Sequence, residues 1–118
     1  MTTLRDSLAE WAMDLRLDLV PPDVVHATKL RILDILGAML AGSETTLSGR
    51  MRRAAAESLD DVASLIGTRE RSGLAMAALV NGTSAHVLEF DDSHIETGVH
   101  PTSPVLAAAL SQAEVLNH

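Results

Sequence analysis

Apolar residues recur every three or four positions through most of this chain, in segments that prolines and glycines separate. That spacing places the apolar side chains on one face of an α-helix. The first segment shows it clearly, with Leu4, Leu8, Trp11 and Leu15 in helical register. The pattern therefore predicts helices over 3–17, 22–41, 46–58 and 72–90, and a last helix from about residue 102 to 118.

Helix start and stop signals support these bounds. Pro22 suits a first helical turn, where a missing N–H costs little, and Gly42 suits the residue that closes the second helix. For the last helix, Thr102 or Ser103 is the predicted N-cap and Pro104 falls in the first turn.

One segment has a different character. The run from Val62 to Ile66 reads as a short strand that ends at Gly67. A single strand needs a partner, so the run is either a buried extended segment or an edge that awaits one. The predicted fold class is all-α, a bundle-like helical domain with one short extended segment near 62–66.

Composition narrows both the packing and the function. Hydrophobic residues make up 47% of the chain but aromatic residues only 2%, so small side chains dominate and closely packed helices are expected. A net charge of −7 argues against nucleic-acid binding, and the absence of cysteine removes thiolate chemistry and cysteine-bound zinc. No signal peptide or membrane span is evident, which predicts a soluble, cytoplasmic protein without a membrane partner.

The segment 86–101, "HVLEFDDSHIETGVHP", concentrates the polar chemistry of the chain. It holds His86, His94 and His100 among several carboxylates, whereas Lys and Arg do not occur after Arg71. A cation for these carboxylates must therefore come from an earlier helix, a metal or another chain.

A metal site is one interpretation of this segment, because histidine and carboxylate side chains are competent ligands. His86 and Glu89 would share a helix face, and the adjacent Asp91 and Asp92 could hold Mg²⁺. However, the spacing matches neither HExxH nor a di-metal bundle motif. We predict no metal.

An acid/base site is the second interpretation, and His100 is its best candidate. It precedes Pro101 just before a helix whose N-terminal N–H groups favour an anion. An imidazole beside an anion site could move a proton on a carbon next to a carboxylate. The competing interpretation is an ordinary loop histidine.

Other polar residues are better explained structurally. His86 lies on a helix of small residues, where a core or interface histidine with one hydrogen bond is the commoner outcome. Ser93 has no base arranged beside it in a nucleophile motif. Asp34 lies within an apolar helix stripe and should be either paired or facing a polar cavity, and pairing is the preferred interpretation.

Three stretches together resemble the N-terminal part of the MmgE/PrpD family, which includes 2-methylcitrate dehydratase, cis-aconitate decarboxylase and iminodisuccinate epimerase. They are "KLRILDILGAMLAG" at 29–42, "AALVNGTSAHVLEFDDSH" at 77–94 and "HPTSPVLAAALSQAE" at 100–114. Their order and spacing match as well. The resemblance covers nearly all of residues 1–118, but only the N-terminal portion of a usual family member.

The resemblance implies a helical N-terminal domain, here partial over 1–118, and a second α+β domain that this chain lacks. It also implies catalysis without a metal or organic cofactor, on small di- or tricarboxylates, by proton transfer next to a carboxylate. The family's later lysine, histidine and tyrosine site residues would lie beyond residue 118.

The resemblance also assigns roles to individual residues. His100 would be an acid/base or substrate-orienting residue, and Asp91 joins it in the candidate catalytic set with an orienting role. Asp92 is part of the same aspartate pair, and Ser93, where the family often has threonine, could donate a hydrogen bond to a substrate carboxylate. Glu89 occupies a position that is often aspartate, so its carboxylate is displaced by one methylene. Glu89, Asp92 and Ser93 form the predicted substrate-binding set.

These observations lead to one principal hypothesis and two alternatives. The chain is expected to be the N-terminal part or subunit of a lyase or isomerase, completed by a second polypeptide and assembled as an oligomer. The first alternative is a catalytically inactive helical interaction protein derived from the same family. The second is a fragment of a metal-dependent hydrolase.

Overall fold

The computed structural model describes residues 2–58 and 60–117. Within them lie five α-helices, a short 3₁₀ turn and a two-stranded antiparallel ribbon. The elements are α1 (Leu4–Asp14), the 3₁₀ turn (Leu17–Leu19), α2 (Pro22–Ser43), α3 (Thr46–Ala55), β1 (Ala63–Ser64), β2 (Arg71–Ser72), α4 (Leu74–His86) and α5 (Thr102–Leu116). The mostly helical fold class is thus confirmed. The prediction that the last helix reaches residue 118 extends beyond the described residues.

Local signals in the sequence start the first three helices. Thr3 and Asp6 form a capping box on α1: the Thr3 hydroxyl accepts from the Asp6 backbone N–H at 3.2 Å, and the Asp6 carboxylate accepts from the Thr3 N–H at 3.0 Å. Pro22 is the first residue of α2, as predicted. Thr45 caps α3 through the backbone N–H of Ser48.

The core forms where α4 packs against both α2 and α5. Its buried members are Ile35, Met39, Ala85, Leu106 and Ala107. The helices pack closely, as expected, at Gly42. This residue is the penultimate residue of α2 and not, as was predicted, its C-cap. A Cβ atom there would lie 1.9 Å from the backbone oxygen of Ser84 on α4, so the two helices meet in a way that a side chain would prevent.

The predicted strand near 62–66 exists in shortened form and has a partner within the chain. Ala63 pairs with Ser72 and Ser64 with Arg71 in an antiparallel register. Ser72 was expected to open a helix and instead ends β2, so α4 begins at Leu74. The strand pairs locally because Gly67 adopts a φ of +86° in the connecting turn.

An amide side chain attaches this ribbon to the helical core. Asn81 of α4 is buried; its amide oxygen accepts from the backbone N–H of Ile66, and its amide nitrogen donates to the backbone oxygen of Ser64, both at 2.9 Å. The two hydrogen bonds from Asn81 thereby satisfy backbone polar groups of the extended segment beside α4.

The end of α4 corrects a second helix boundary. The helix stops at His86 rather than continuing to Phe90. The backbone N–H of Glu89 bonds to the His86 oxygen at 2.8 Å, and Glu89 takes a positive φ of 50°. A residue in this left-handed conformation reverses the chain, so the following loop returns beneath the end of the helix.

α5 starts at Thr102, close to the predicted position, but its N-cap lies one or two residues earlier than predicted. Pro101 occupies the N-cap position, Thr102 and Ser103 are already helical, and Pro104 lies in the first turn as expected. Pro101 has no side-chain hydrogen-bond donor or acceptor, so the helix start depends on a side chain from elsewhere in the fold.

Two apolar surfaces face solvent. The stripe predicted on α1 exists, but its members Leu4, Leu8 and Trp11 are 78%, 56% and 62% exposed, and α1 has no buried residue. Asp34 is also exposed and lies beside a groove lined by Leu88 and Phe90. It forms no ion pair with any described residue, so the predicted pairing of Asp34 is wrong. Among the described helices, none has the length and hydropathy needed to cross a membrane.

Candidate active site

The loop between α4 and α5 brings four polar side chains to one cavity of about 450 Å³. His86 comes from the last residue of α4, Asp91 and His100 from the loop, and Ser103 from the first turn of α5. Its remaining walls are small or apolar residues of the two helices: Ala78, Leu79, Gly82, Thr83 and Pro104. The volume of the cavity is in the range found for binding sites of small molecules.

Asp91 is the centre of this cluster. Its side chain is 0% exposed, and its Oδ2 accepts from the Ser103 hydroxyl at 2.5 Å. The Nδ1 atoms of His86 and His100 each lie 3.1 Å from Oδ1, and His86 Nδ1 is equally close to Oδ2. A buried carboxylate is costly unless its oxygens are hydrogen-bonded, and here both oxygens are.

These contacts set the ionisation of Asp91. Burial of the carboxylate raises its pKa, but hydrogen bonds from Ser103 and His86 act in the opposite direction, together with the charge that His86 can carry. The net result is an Asp91 pKa below its ordinary value, so the group stays ionised in the folded protein.

His100 is positioned with its two ring nitrogens in different environments. Nδ1 faces Asp91, whereas Nε2 lies 3.4 Å from the hydroxyl of Ser93, a loop residue outside the cavity lining. The predicted pair of His100 and Asp91 is thus brought together, and Ser93 joins it.

Asp92 has a different environment from Asp91. Its Oδ1 accepts from the backbone N–H of Thr102 at 3.2 Å, and its Oδ2 accepts from the Thr102 hydroxyl at 2.6 Å and pairs with Arg31 at 3.0 Å. The anion at the start of α5 is therefore a carboxylate of the protein itself, which replaces the missing cap of Pro101. Arg31 of α2 is the cation from an earlier helix that the charge distribution required.

The remaining predicted residues lie outside the cavity lining. Glu89 is exposed in the turn after α4, and its predicted role in substrate binding stays a prediction. His94 is exposed and bonds through Nδ1 to the Thr97 hydroxyl at 2.9 Å, within the loop. His94 therefore serves the loop rather than the cavity.

Sequence reasoning did not find two members of the site. His86 was expected to be a core or interface histidine and is instead a half-exposed wall of the cavity. Ser103 was considered as a helix cap and instead donates to Asp91. The available signal was the reversal of the chain after α4, but the residues around 87–90 continue the helical pattern and conceal it.

The same residues have atoms of the kind that ligate metals. One atom each from His86, Asp91 and His100 lies within 4.8 Å of the others. The 3.1 Å separations between Nδ1 and carboxylate oxygen are those of hydrogen bonds, and a nitrogen that carries a proton has no lone pair for a metal. The prediction of a metal-free site stays a prediction.

Comparison with known proteins identifies the family of this chain. Residues 6–118 match the model of the MmgE/PrpD N-terminal domain. The chain is 33% identical over 113 residues to the cis-aconitate decarboxylase-like protein oryM of Aspergillus oryzae, covering 92% of this chain and 23% of that protein. It is 30% identical over 110 residues to cis-aconitate decarboxylase of Aspergillus terreus, covering 92% and 22%. The chain thus spans under a quarter of the length of these relatives, and it belongs to the MmgE/PrpD family as an N-terminal domain.

Proposed function

We propose that this chain forms one wall of the active site of a cofactor-independent lyase or isomerase that acts on small di- or tricarboxylates. The observation that carries the proposal is the buried Asp91 carboxylate, which orients His100 at the edge of a cavity. The names of the relatives, cis-aconitate decarboxylases, indicate the substrate class.

The reaction step would be a proton transfer by His100. With Nδ1 engaged by Asp91, Nε2 is the atom that can exchange a proton with a substrate carbon next to a carboxylate. Removal of that proton leaves negative charge on the carboxylate, as an aci-carboxylate intermediate. Positive groups must stabilise this charge.

The cations for this step are expected from outside the described residues. Arg31 already pairs with Asp92, and the chain has no Lys or Arg after Arg71. The rest of the family fold, on the same or on a second polypeptide, would supply them and close the cavity. This assembly would also cover part of the exposed helical surface.

The alternative function is a helical interaction protein without catalysis. The exposed apolar stripe of α1, with Leu4, Leu8 and Trp11, favours it, because such a stripe is typical of a surface that another chain covers. This function predicts a stable assembly that binds no carboxylate.

The test is the activity of His100→Ala in the assembled enzyme. Turnover of cis-aconitate and of citrate-like hydroxy acids is measured as carbon dioxide release and as dehydration. A general acid/base contributes about 10²–10⁴-fold, so kcat should fall by that factor.

His94→Ala is the matched control, since His94 lies in the same loop and bonds to Thr97 rather than to Asp91. Its activity should stay near that of the wild type. Equal turnover in His100→Ala and wild type would remove His100 from the mechanism. A wild-type assembly that neither binds nor turns over carboxylates would favour the interaction protein.

A further inference from the structure

We propose that Asp91 holds His86 and His100 in the same tautomer and that His86 is thereby a second proton-transfer residue of the cavity. The proton-transfer role rests on the proposed function, whereas the tautomer assignment rests on geometry alone. Asp91 is the positioning residue in this arrangement, and the two imidazoles are the groups that meet the substrate.

The tautomer follows from what a carboxylate can do. An ionised carboxylate only accepts hydrogen bonds, so a ring nitrogen that bonds to it must carry the proton. Both histidines present Nδ1 to Asp91, each 3.1 Å from Oδ1. A neutral imidazole has a single N–H, so in both rings Nε2 is left with a free lone pair.

The carboxylate is held firmly enough to impose this choice. The side chain of Asp91 is 0% exposed, and the buried Ser103 fixes Oδ2 through a bond of 2.5 Å. Rotation of the carboxylate away from the histidines would leave buried oxygens without donors, which is costly. The two rings meet edge to face, with centroids 4.9 Å apart and planes at 73°.

The two imidazoles belong to one cavity. His86 and His100 both line it, with side chains 53% and 34% exposed. Nε2 of His100 lies 3.4 Å from the Ser93 hydroxyl, whereas Nε2 of His86 has no hydrogen-bond partner among the described residues. A structural histidine of the kind expected from the sequence would be enclosed, whereas the side chain of His86 is half-exposed and lines the cavity.

Two such nitrogens suit a reaction that needs an acid and a base together. In a dehydration, Nε2 of neutral His100 takes the proton from the carbon next to the carboxylate. The electron pair of that C–H bond forms the carbon–carbon double bond as the C–O bond breaks. Protonated His86 gives its Nε2 proton to the departing hydroxyl, which leaves as water. Exchange with solvent then restores both rings.

His86→Asn separates proton transfer from structure. The Asn side-chain NH₂ reaches the position of Nδ1 and can keep the hydrogen bond to Asp91, but it has no atom at the position of Nε2. We expect kcat of the assembled enzyme to fall about 100-fold or more, within the range for a general acid or base, with a much smaller change in KM. His94→Asn, at the exposed loop histidine, is the control.

The tautomer has its own readout, which does not depend on catalysis. Long-range proton–nitrogen NMR spectra of the intact protein, recorded where the rings are neutral, distinguish a protonated Nδ1 from a protonated Nε2. We expect protonated Nδ1 at both His86 and His100. In Asp91→Asn the amide can donate as well as accept, so the tautomer is no longer imposed and these two spectra should change while that of His94 does not.

Each outcome decides a separate part of the proposal. A protonated Nε2 on His86 or His100 in the wild type would overturn the positioning role of Asp91. Wild-type kcat in His86→Asn, together with a large loss in His100→Ala, would overturn the role of His86 and leave the proposed function intact. Unchanged activity in both variants would refute the proposed function while the NMR result still tests the tautomers.

Discussion

Two glycines on α2 should respond in opposite directions to the same substitution. Gly37 and Gly42 lie five residues apart on one helix, and alanine is about 1 kcal/mol more favourable than glycine in a helix interior. A Cβ atom at Gly37 meets no atom within 4 Å, so Gly37→Ala should stabilise the protein by about that amount.

At Gly42 the added methyl group meets backbone. Its Cβ would lie 1.9 Å from the Ser84 oxygen and 2.9 Å from Cγ1 of Val87, whereas unstrained contacts lie near ~3.5 Å. Neither the Ser84 backbone nor α2 can move without separating the helices at the core that contains Met39 and Ala85. Overpacking of this kind costs about 1–3 kcal/mol or more. The propensity gain at the helix end is small, so we expect a net loss of about 2 kcal/mol.

Urea unfolding followed by circular dichroism measures both variants. The midpoint should rise for Gly37→Ala and fall for Gly42→Ala, with unchanged slopes, for a difference of about 3 kcal/mol between the variants. Equal midpoints for wild type and Gly42→Ala would refute the close approach of α2 and α4. A loss at Gly37 would instead show that this face of α2 is covered in the assembled protein.

Two further predictions concern the turns and the buried carboxylate. In urea unfolding, Gly67→Ala should lower the stability of the protein more than Gly98→Ala does. Both glycines have a positive φ, which costs an alanine about 1–2 kcal/mol. A Cβ atom at Gly67 would also lie 2.2 Å from the Ser43 hydroxyl oxygen, whereas a Cβ atom at Gly98 would meet open space. Similar losses would contradict the contact. The pKa of Asp91 is lower in the folded protein than its ordinary value of about 4. The ionised carboxylate therefore stabilises the folded protein fully above its ordinary pKa, and this contribution is lost as the pH falls through the lower folded-state pKa. The stability difference between wild type and Asp91→Asn should therefore shrink below about pH 4, and a constant difference would contradict it.

Helix positions were largely predictable because their causes are local. Apolar periodicity, the Thr3 cap and Pro22 act within one turn of the chain, and the helices they indicate are present. The boundary errors at the two ends of α4 occur where distant contacts decide. Glu89 lies in a left-handed conformation that its own sequence does not favour, and it ends α4 because the loop must return to bury Asp91.

The candidate site shows the same division between local and distant causes. The density of histidines and carboxylates in 86–101, the lack of later cations and the resemblance to the family all pointed to His100 and Asp91 from residue types and order alone. Residue type did not distinguish Asp91 from Asp92, and only the resemblance placed Asp91 in the catalytic set and Asp92 in the substrate-binding set. In the fold, Asp91 turns inward to two imidazoles, whereas Asp92 caps α5 and pairs with Arg31, 61 positions away.

Residue order in this chain therefore specifies the helical class, the family and the segment that carries the chemistry, because these depend on periodicity and on short motifs. The tertiary structure specifies which atoms act. It makes His86 a partner of His100, and in the proposed tautomer it leaves Nε2 of each neutral ring without a proton, because one buried carboxylate accepts from both Nδ1 atoms. Hydrogen-bond direction depends on which side chains are enclosed together, and that enclosure exists only once α4, the loop and α5 have packed.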